Sequence, residues 1–240
     1  MAYTNSPMVS YTKLSPNHSG QRTHSIDRIT PHCVVGQCSV ETLGNVFLPE
    51  SRQASSNYGI GVDGRVGMYV EERNRSWCSS SAANDQRAVT IECASDSKAP
   101  YAFKDVVYEK LVQLCADICK RNGKTRLLWL GDKDKTLGYT PAPDEMVLTV
   151  HRWFANKSCP GDWMYARMGD LAEKVTAALG GQTQAPLDNA PAAWSKDAVN
   201  WALENRLLLG NTNGDLKLRE NLTREQFCVM LKRYHDLFQK

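Results

Sequence analysis

"RAVTIECASDSKAPYAFKDVVYEKLVQLCADICKRNG", residues 87–123, changes period partway along its length. Its opening, RAVTIECAS, is β-branched and apolar and shows no polar alternation, which is how a central strand buried on both faces reads. From Phe103 the apolar residues recur at helical spacing. Val106, Val107, Leu111, Leu114, Cys115 and Ile118 fall on one stripe, and Gly123 supplies the stop. A buried strand followed by an amphipathic helix is the building block of an α/β domain.

The same alternation extends on both sides. DRITPHCVV (27–35) is a buried strand candidate, with Pro31 suited to a strand end or bulge. SVETLGNVF (39–47) is a helix capped by Ser39, and SNYGIGVDGRVGMYVEE (56–72) carries the Asp63-Gly64 signal of a hairpin. RLLWLG is too short to assign between strand and helical turn. EMVLTVHRWF is a strand, and WMYARMGDLAEKVTAALGG (163–181) is a helix ended by Gly-Gly. Residues 1–25 read as an irregular arm. GGQTQAPLDNAPAA (180–193) then changes to a Gly/Pro/Gln/Asn composition typical of linkers. After it the signals are helical only: WSKDAVNWALENRLLLG with Ser195 as N-cap, and LTREQFCVMLKRYHDLF with Thr223 and Gln226 at capping-box positions. The expectation is an α/β fold with a mixed central β-sheet flanked by helices, residues 1–180. A linker at 181–191 and a small C-terminal helical module at 192–240 follow it.

Composition narrows the class. With 42% hydrophobic and 23% charged residues in 240, the chain reads as soluble and globular. A net charge of +3 is too small to argue for nucleic acid, though it suits an anionic partner. No apolar run reaches the ~18 residues a membrane span needs. The polar opening, MAYTNSPMVSYTKLSPNHSG, lacks a secretory leader, so synthesis in a cytosol without a signal peptide is expected. The eight cysteines include no CxxC pair, and most sit in apolar stretches, where reduced thiols act as small hydrophobes.

The chemistry concentrates in TVHRWFANKSCPGDW (149–163). A lone histidine at the end of an apolar strand is more often packed and hydrogen-bonded than a ligand. Here His151 ends a strand and Cys159 lies in a Pro-Gly loop eight residues later, a pair able to face one cleft. Zinc accepts both imidazole nitrogen and thiolate sulfur, and a catalytic zinc keeps three protein ligands and an open position. A pair of ligands is not yet a site.

ITPHCVV, ASSNYGIGVDGRV, AVTIECASD and VHRWFANKSCPGDW follow one another in the order and spacing of the type-2 N-acetylmuramoyl-L-alanine amidases. Phage endolysins and peptidoglycan recognition proteins share that family, and the resemblance covers roughly residues 25–180. It implies an amidase/peptidoglycan-recognition fold and a Zn2+ held by His32, His151 and Cys159. It assigns Glu92 to proton transfer, Lys157 to the oxyanion and Tyr58 to the oxyanion or the water, with Trp77 as a candidate substrate contact. The residues themselves leave a structural alternative for each: Glu92 as a salt-bridged strand carboxylate, Tyr58 as core and Lys157 as a surface charge. The chain departs from the pattern at Gly59, where many members carry His, and at Pro31. The bond implied is the amide between the lactyl group of N-acetylmuramic acid and L-alanine.

The tail resembles a single S-layer homology repeat, with Thr223 and Arg224 at its Thr-Arg position. That resemblance implies binding of an anionic secondary wall polymer, with Arg224 as a contact, or self-association into a homo-oligomer. Together the two resemblances imply a peptidoglycan-directed endolysin of a Gram-positive phage or prophage. It would be made in the host cytoplasm and act at the wall after membrane permeabilisation, without inserting into a membrane or binding nucleic acid. A non-catalytic peptidoglycan-binding protein and a secreted host autolysin are the alternatives.

Overall fold

The computed structural model describes residues 3–180, 189–210 and 214–237. In chain order the first half holds β1 (Val9–Thr12), β2 (His18–Gln21), β3 (Arg28–Cys33), α1 (Val40–Phe47), β4 (Tyr58–Ile60), β5 (Val66–Met68), β6 (Asn74–Ser76), α2 (Ala82–Arg87) and β7 (Ala88–Cys93). Then come α3 (Asp105–Arg121), β8 (Arg126–Leu128), α4 (Lys133–Gly138), β9 (Glu145–Leu148), α5 (Asp162–Tyr165), α6 (Met168–Ala178), α7 (Lys196–Glu204) and α8 (Arg224–Leu237).

Seven strands form the central sheet in the order β1-β5-β4-β7-β3-β9-β8, and β2 pairs with β6 in a separate ribbon. Only the β4–β5 hairpin is antiparallel within the large sheet; every other neighbouring pair is parallel. The fold is therefore α/β with a mixed sheet. β7, the strand of the opening stretch, lies between β3 and β4 at the middle of the sheet, as its continuous apolar run requires. α3 covers one face with Val107, Leu111, Leu114, Cys115 and Ile118, all fully buried. Each large aliphatic buried there contributes about 1.5–3 kcal/mol. Val106 leaves the expected stripe and is 42% exposed.

Several expectations are corrected. The N-terminal arm is ordered: VSYT forms edge strand β1 beside β5, and HSGQ forms β2. Both strands are four residues long, too short to show a period above the noise of the segment. The 163–181 helix is two helices, broken at Ala166–Arg167. Pro31 sits inside β3, not at its end. The carbonyls of Asp27 and Ile29 accept bonds from Val147 of β9 and from Thr149 just after it, and Pro31 is next in that series. Its missing N–H thus falls where β9 has already turned away.

The chain divides into two compact units, Met1–Thr183 and Gln184–Lys240. Most of the expected linker, residues 181–188, lies outside the described residues. In the second unit, α8 begins with a reciprocal capping box: Gln226 N donates to Thr223 Oγ1 at 3.1 Å, and Thr223 N donates to Gln226 Oε1 at 2.8 Å. Ser195 makes no cap on α7; its hydroxyl donates to Ala192 O instead. All eight cysteines are free thiols. Among the described residues no helix is long and apolar enough to cross a membrane.

Candidate metal centre and active site

The site sits at the carboxyl ends of the parallel strands. His32 is the fifth residue of β3 and Glu92 the fifth of β7, and the two are direct register partners, so their side chains share one face of the sheet. β9 ends next door, and its continuation makes a 3-10 turn over His151–Trp153. The loop after that turn returns Cys159 to the same place, closed by Arg152 N donating to Cys159 O at 3.1 Å. Arg152 also donates to Ser158 O and pairs with Asp162 at 2.9 Å. Gly161 lets the loop dock. With φ +84°, it lies so close to the 100–101 segment that a Cβ would come within 2.9 Å of Pro100 O and of Tyr101 Cβ.

These elements bring the three expected ligands together. Ligand atoms of His32, His151 and Cys159 all lie within 4.8 Å of one another. Cys159 Sγ is 3.2 Å from His32 Nδ1, and the two imidazole rings are 5.1 Å apart at 61°. Glu92 Oε1 stands 4.0 Å from His32 Nδ1. His32 Nε2 and Glu92 Oε2 are buried without a hydrogen-bond partner.

The electrostatics follow from burial. Burial, then His151, hold His32 well below its ordinary pKa; burial and Lys157 lower His151, so both imidazoles are neutral and ligand-ready at neutral pH. Burial, then neighbouring Cys33, raises the Cys159 thiol. A buried thiol beside two neutral imidazoles becomes a thiolate only opposite a strong positive charge, which a dication supplies. Two nitrogens and one sulfur with an open side form the donor set of a catalytic zinc, so the residues present fit that ion. Burial pushes Glu92 up to about 7, against small opposing effects of Cys78 and Arg52. That places it where a proton acceptor and donor works best near neutrality.

Glu92, His151, Lys157 and Trp77 line an open cleft of about 440 Å³. Lys157 is exposed at its rim, and Trp77 is half-buried with Nε1 donating to Ser19 Oγ at 2.6 Å. Tyr58 is not brought to the site. Its register partner on β7 is Ile91, whereas Gly59 is level with Glu92. One residue of offset turns a strand side chain to the opposite face. The Tyr58 hydroxyl is fully buried there, donating to Glu72 Oε1 at 2.7 Å and accepting from Ser6 N at 2.8 Å. At Gly59 a Cβ would come within 2.7 Å of the Tyr69 ring and 2.8 Å of Leu43, so that face of β4 is closed by packing. Arg224 is exposed at the start of α8 in the second unit.

Two contacts escaped the sequence reading. Cys78 Sγ lies 3.7 Å from Glu92 Oε1, and Ser80 Oγ is 2.9 Å from His151 Nε2. Both come from the loop between β6 and α2, held by Asp85, whose carboxylate accepts from the backbone N–H groups of Cys78 and Ser79. A Ser-rich loop has no period, and only the fold shows which of its side chains turn inward.

The carboxyl ends of the parallel strands thus gather two imidazoles, a thiol and a carboxyl of raised pKa in one α/β site. The profile of the N-acetylmuramoyl-L-alanine amidase family matches residues 16–162, more than half of the chain, and the chain belongs to that family. No curated protein sequence matches it. Among solved structures it is similar to AmpD, at 16% identity over 72% of this chain and 99% of that one, with a TM-score of 0.49. It is also similar to PlyL, at 16% identity over 69% and 95% (TM-score 0.46). A further likeness is to the N-acetylmuramoyl-L-alanine amidase LysC from Clostridium intestinale URNW, at 14% over 76% and 96% (TM-score 0.44).

Proposed function

We propose that this amidase is zinc-dependent and cleaves the bond between the lactyl group of N-acetylmuramic acid and L-alanine in peptidoglycan. The observation that carries the reading is the convergence of His32, His151 and Cys159 within 4.8 Å beside Glu92. His32, His151 and Cys159 would hold the ion. When bound, zinc supplies a water of lowered pKa and polarises the scissile carbonyl. Glu92 accepts the proton of the attacking water and returns it to the leaving amine nitrogen, so that water is split across the amide and the carboxylate and amine depart. Lys157, at the rim of the same cleft, offers its ammonium to the oxygen that gains charge. Trp77 provides an apolar wall for the substrate.

In this reading residues 1–180 are the catalytic domain, 181–191 the linker and 192–240 a wall-directed module. The capping-box helix α8 supports an S-layer homology-like helical module, with Arg224 toward an anionic wall polymer and self-association as its second use. The protein serves as an endolysin of a Gram-positive phage or prophage, made in the cytoplasm and acting at the wall.

Digestion of purified walls tests the chemistry. New L-alanine amino termini without new reducing sugar are expected from the wild type, and neither from Cys159→Ser nor after chelation. Undiminished activity in Cys159→Ser, or reducing ends in place of amines, overturns the reading. Binding without cleavage by the zinc-loaded wild type identifies a recognition protein instead.

A further inference from the structure

Cys78 has no part in the reaction read from the cleft, yet it is built into the wall. Its thiol donates to Glu92 Oε1 at 3.7 Å. The chain that carries it is pinned on both sides: Trp77 N donates to Ser55 Oγ at 3.0 Å, and Cys78 N donates to Asp85 Oδ2 at 3.0 Å. Asp85 is 2% exposed and also accepts from Ser79 N, so backbone hydrogen bonds to a buried carboxylate set where the thiol stands. Ligand atoms of His32, Cys78 and Glu92 all lie within 4.8 Å of one another, the same span that encloses those of His32, His151 and Cys159. In this second group His32 is 1% exposed with Nε2 unpartnered, and Glu92 Oε2 is buried and unpartnered as well.

The two groups share His32 and differ in what they add to it. His32 Nδ1 stands 3.2 Å from Cys159 Sγ and 4.0 Å from Glu92 Oε1, so one nitrogen faces both, and an ion held in one group excludes an ion from the other. The first group offers two neutral imidazoles and a thiolate. The second offers one imidazole, a thiolate and a carboxylate, all of them atoms that zinc and its softer relatives accept. Two anions neutralise a dication in full, which favours it in a half-buried place. Binding there displaces the proton that Cys78 donates to Glu92, as metal binding to any thiol does. Cys78 and Glu92 both line the open cleft, so an ion between them meets solvent directly.

We propose that His32, Cys78 and Glu92 form a second, alternative position for a thiophilic divalent cation, in which the protein is loaded but unable to hydrolyse. A carboxylate that coordinates a dication no longer has its lone pair free to take a proton from water, so an ion in this position withdraws Glu92 from the reaction. The consequence for hydrolysis rests on the amidase reading, but the binding itself does not require turnover. Open to the cleft, the ion exchanges with solvent: it is held under excess cation and lost on dialysis.

The test is a titration of the metal-free full chain carrying Cys159→Ser, which breaks the first group, with Cd2+. Thiolate-to-cadmium charge-transfer absorption reports binding. One equivalent is expected to bind and to leave on dialysis. Adding Cys78→Ser should weaken that binding ~10-fold or more and remove its absorption, since even residues outside a ligand set change metal affinity by about 10–100-fold when lost. Adding Glu92→Gln in place of Cys78→Ser should weaken it by a similar factor, and that isosteric change keeps the proposal testable if the double cysteine variant does not fold. Affinity and absorption unchanged by Cys78→Ser assign the cadmium to another thiol and overturn the second position. A loss with Cys78→Ser and none with Glu92→Gln describes a lone thiol and also overturns it. If the zinc-loaded wild type cleaves no wall while the binding that depends on Cys78 and Glu92 persists, the amidase reading fails and the second position stands. If the wild type cleaves walls and that binding is missing, the second position falls alone.

Discussion

Two buried polar clusters lie on opposite faces of the same sheet, and they are built to opposite rules. On the α3 side, Tyr58, Glu72, Arg121 and the Ser6 amide satisfy one another: the phenol donates to Glu72, Ser6 N donates to the phenol, and Arg121 pairs with Glu72 at 3.0 Å. At the carboxyl ends of the strands, His32 Nε2 and Glu92 Oε2 have no partner at all. Buried polar groups are nearly always paired, so the first cluster reads as structure and the second as the candidate site. The difference is set by one residue of strand register, since Tyr58 and Gly59 are adjacent and face opposite ways.

The largest effects expected concern the unsatisfied cluster. Cys159→Ser, or removal of metal by a chelator, should lower wall hydrolysis by ~10³-fold or more, because a ligand lost from a three-ligand site removes the bound water's activation. Metal content by mass spectrometry should fall in parallel, and a variant that stays fully active without metal breaks the distinction between the clusters. Glu92→Gln should lower the rate by ~10²–10⁴-fold while retaining metal, as loss of a proton-transfer group does. Activity equal to wild type at unchanged metal content would remove Glu92 from the chemistry.

Glu92 also predicts a pH-dependent stability of the metal-free protein. Its folded pKa of about 7 is raised by burial above the ordinary carboxylate value. Between those two values the folded state therefore binds more protons than the unfolded one, and stability falls as pH rises through that window. The penalty is absent below the ordinary value and complete above about 7. Glu92→Gln should thus raise the stability of the metal-free protein at pH ~8 by up to about 3 kcal/mol and leave it nearly unchanged at pH ~4. Denaturant titrations at the two pH values measure this, and an equal shift at both would mean that the substitution acts through packing.

How much of this was legible in the sequence depends on whether a residue's role is set locally. β7 and α3 were readable because a continuous apolar run and a helical stripe are properties of the segment itself. The Ser39 cap and the Asp63-Gly64 hairpin were readable for the same reason. His32, His151 and Cys159 were reached through motif resemblance, since nothing local in ITPHCVV says that it meets a loop more than 100 residues later. The role expected for Tyr58 did not survive because motif spacing does not fix the face a strand residue occupies. Cys78 and Ser80 lie in a loop whose conformation is dictated by Asp85, and a contact made through another residue's hydrogen bonds leaves no pattern to read.

The smallest expected effect tests the satisfied cluster. Tyr58→Phe removes one hydroxyl and leaves the Ser6 N–H without its acceptor and Glu72 Oε1 with Arg121 still in place. Losing one hydrogen bond while stranding a buried partner costs about 1–3 kcal/mol, with the aromatic ring still filling its place between β4 and α3. The activity of the folded fraction should stay within about twofold of wild type, because the hydroxyl faces away from the cleft and the ring keeps the strand in register. The two numbers must separate: stability falls and specific activity does not. A loss of specific activity on the scale of Glu92→Gln, without loss of stability, would place the Tyr58 hydroxyl in the chemistry and erase the contrast between the two faces of the sheet.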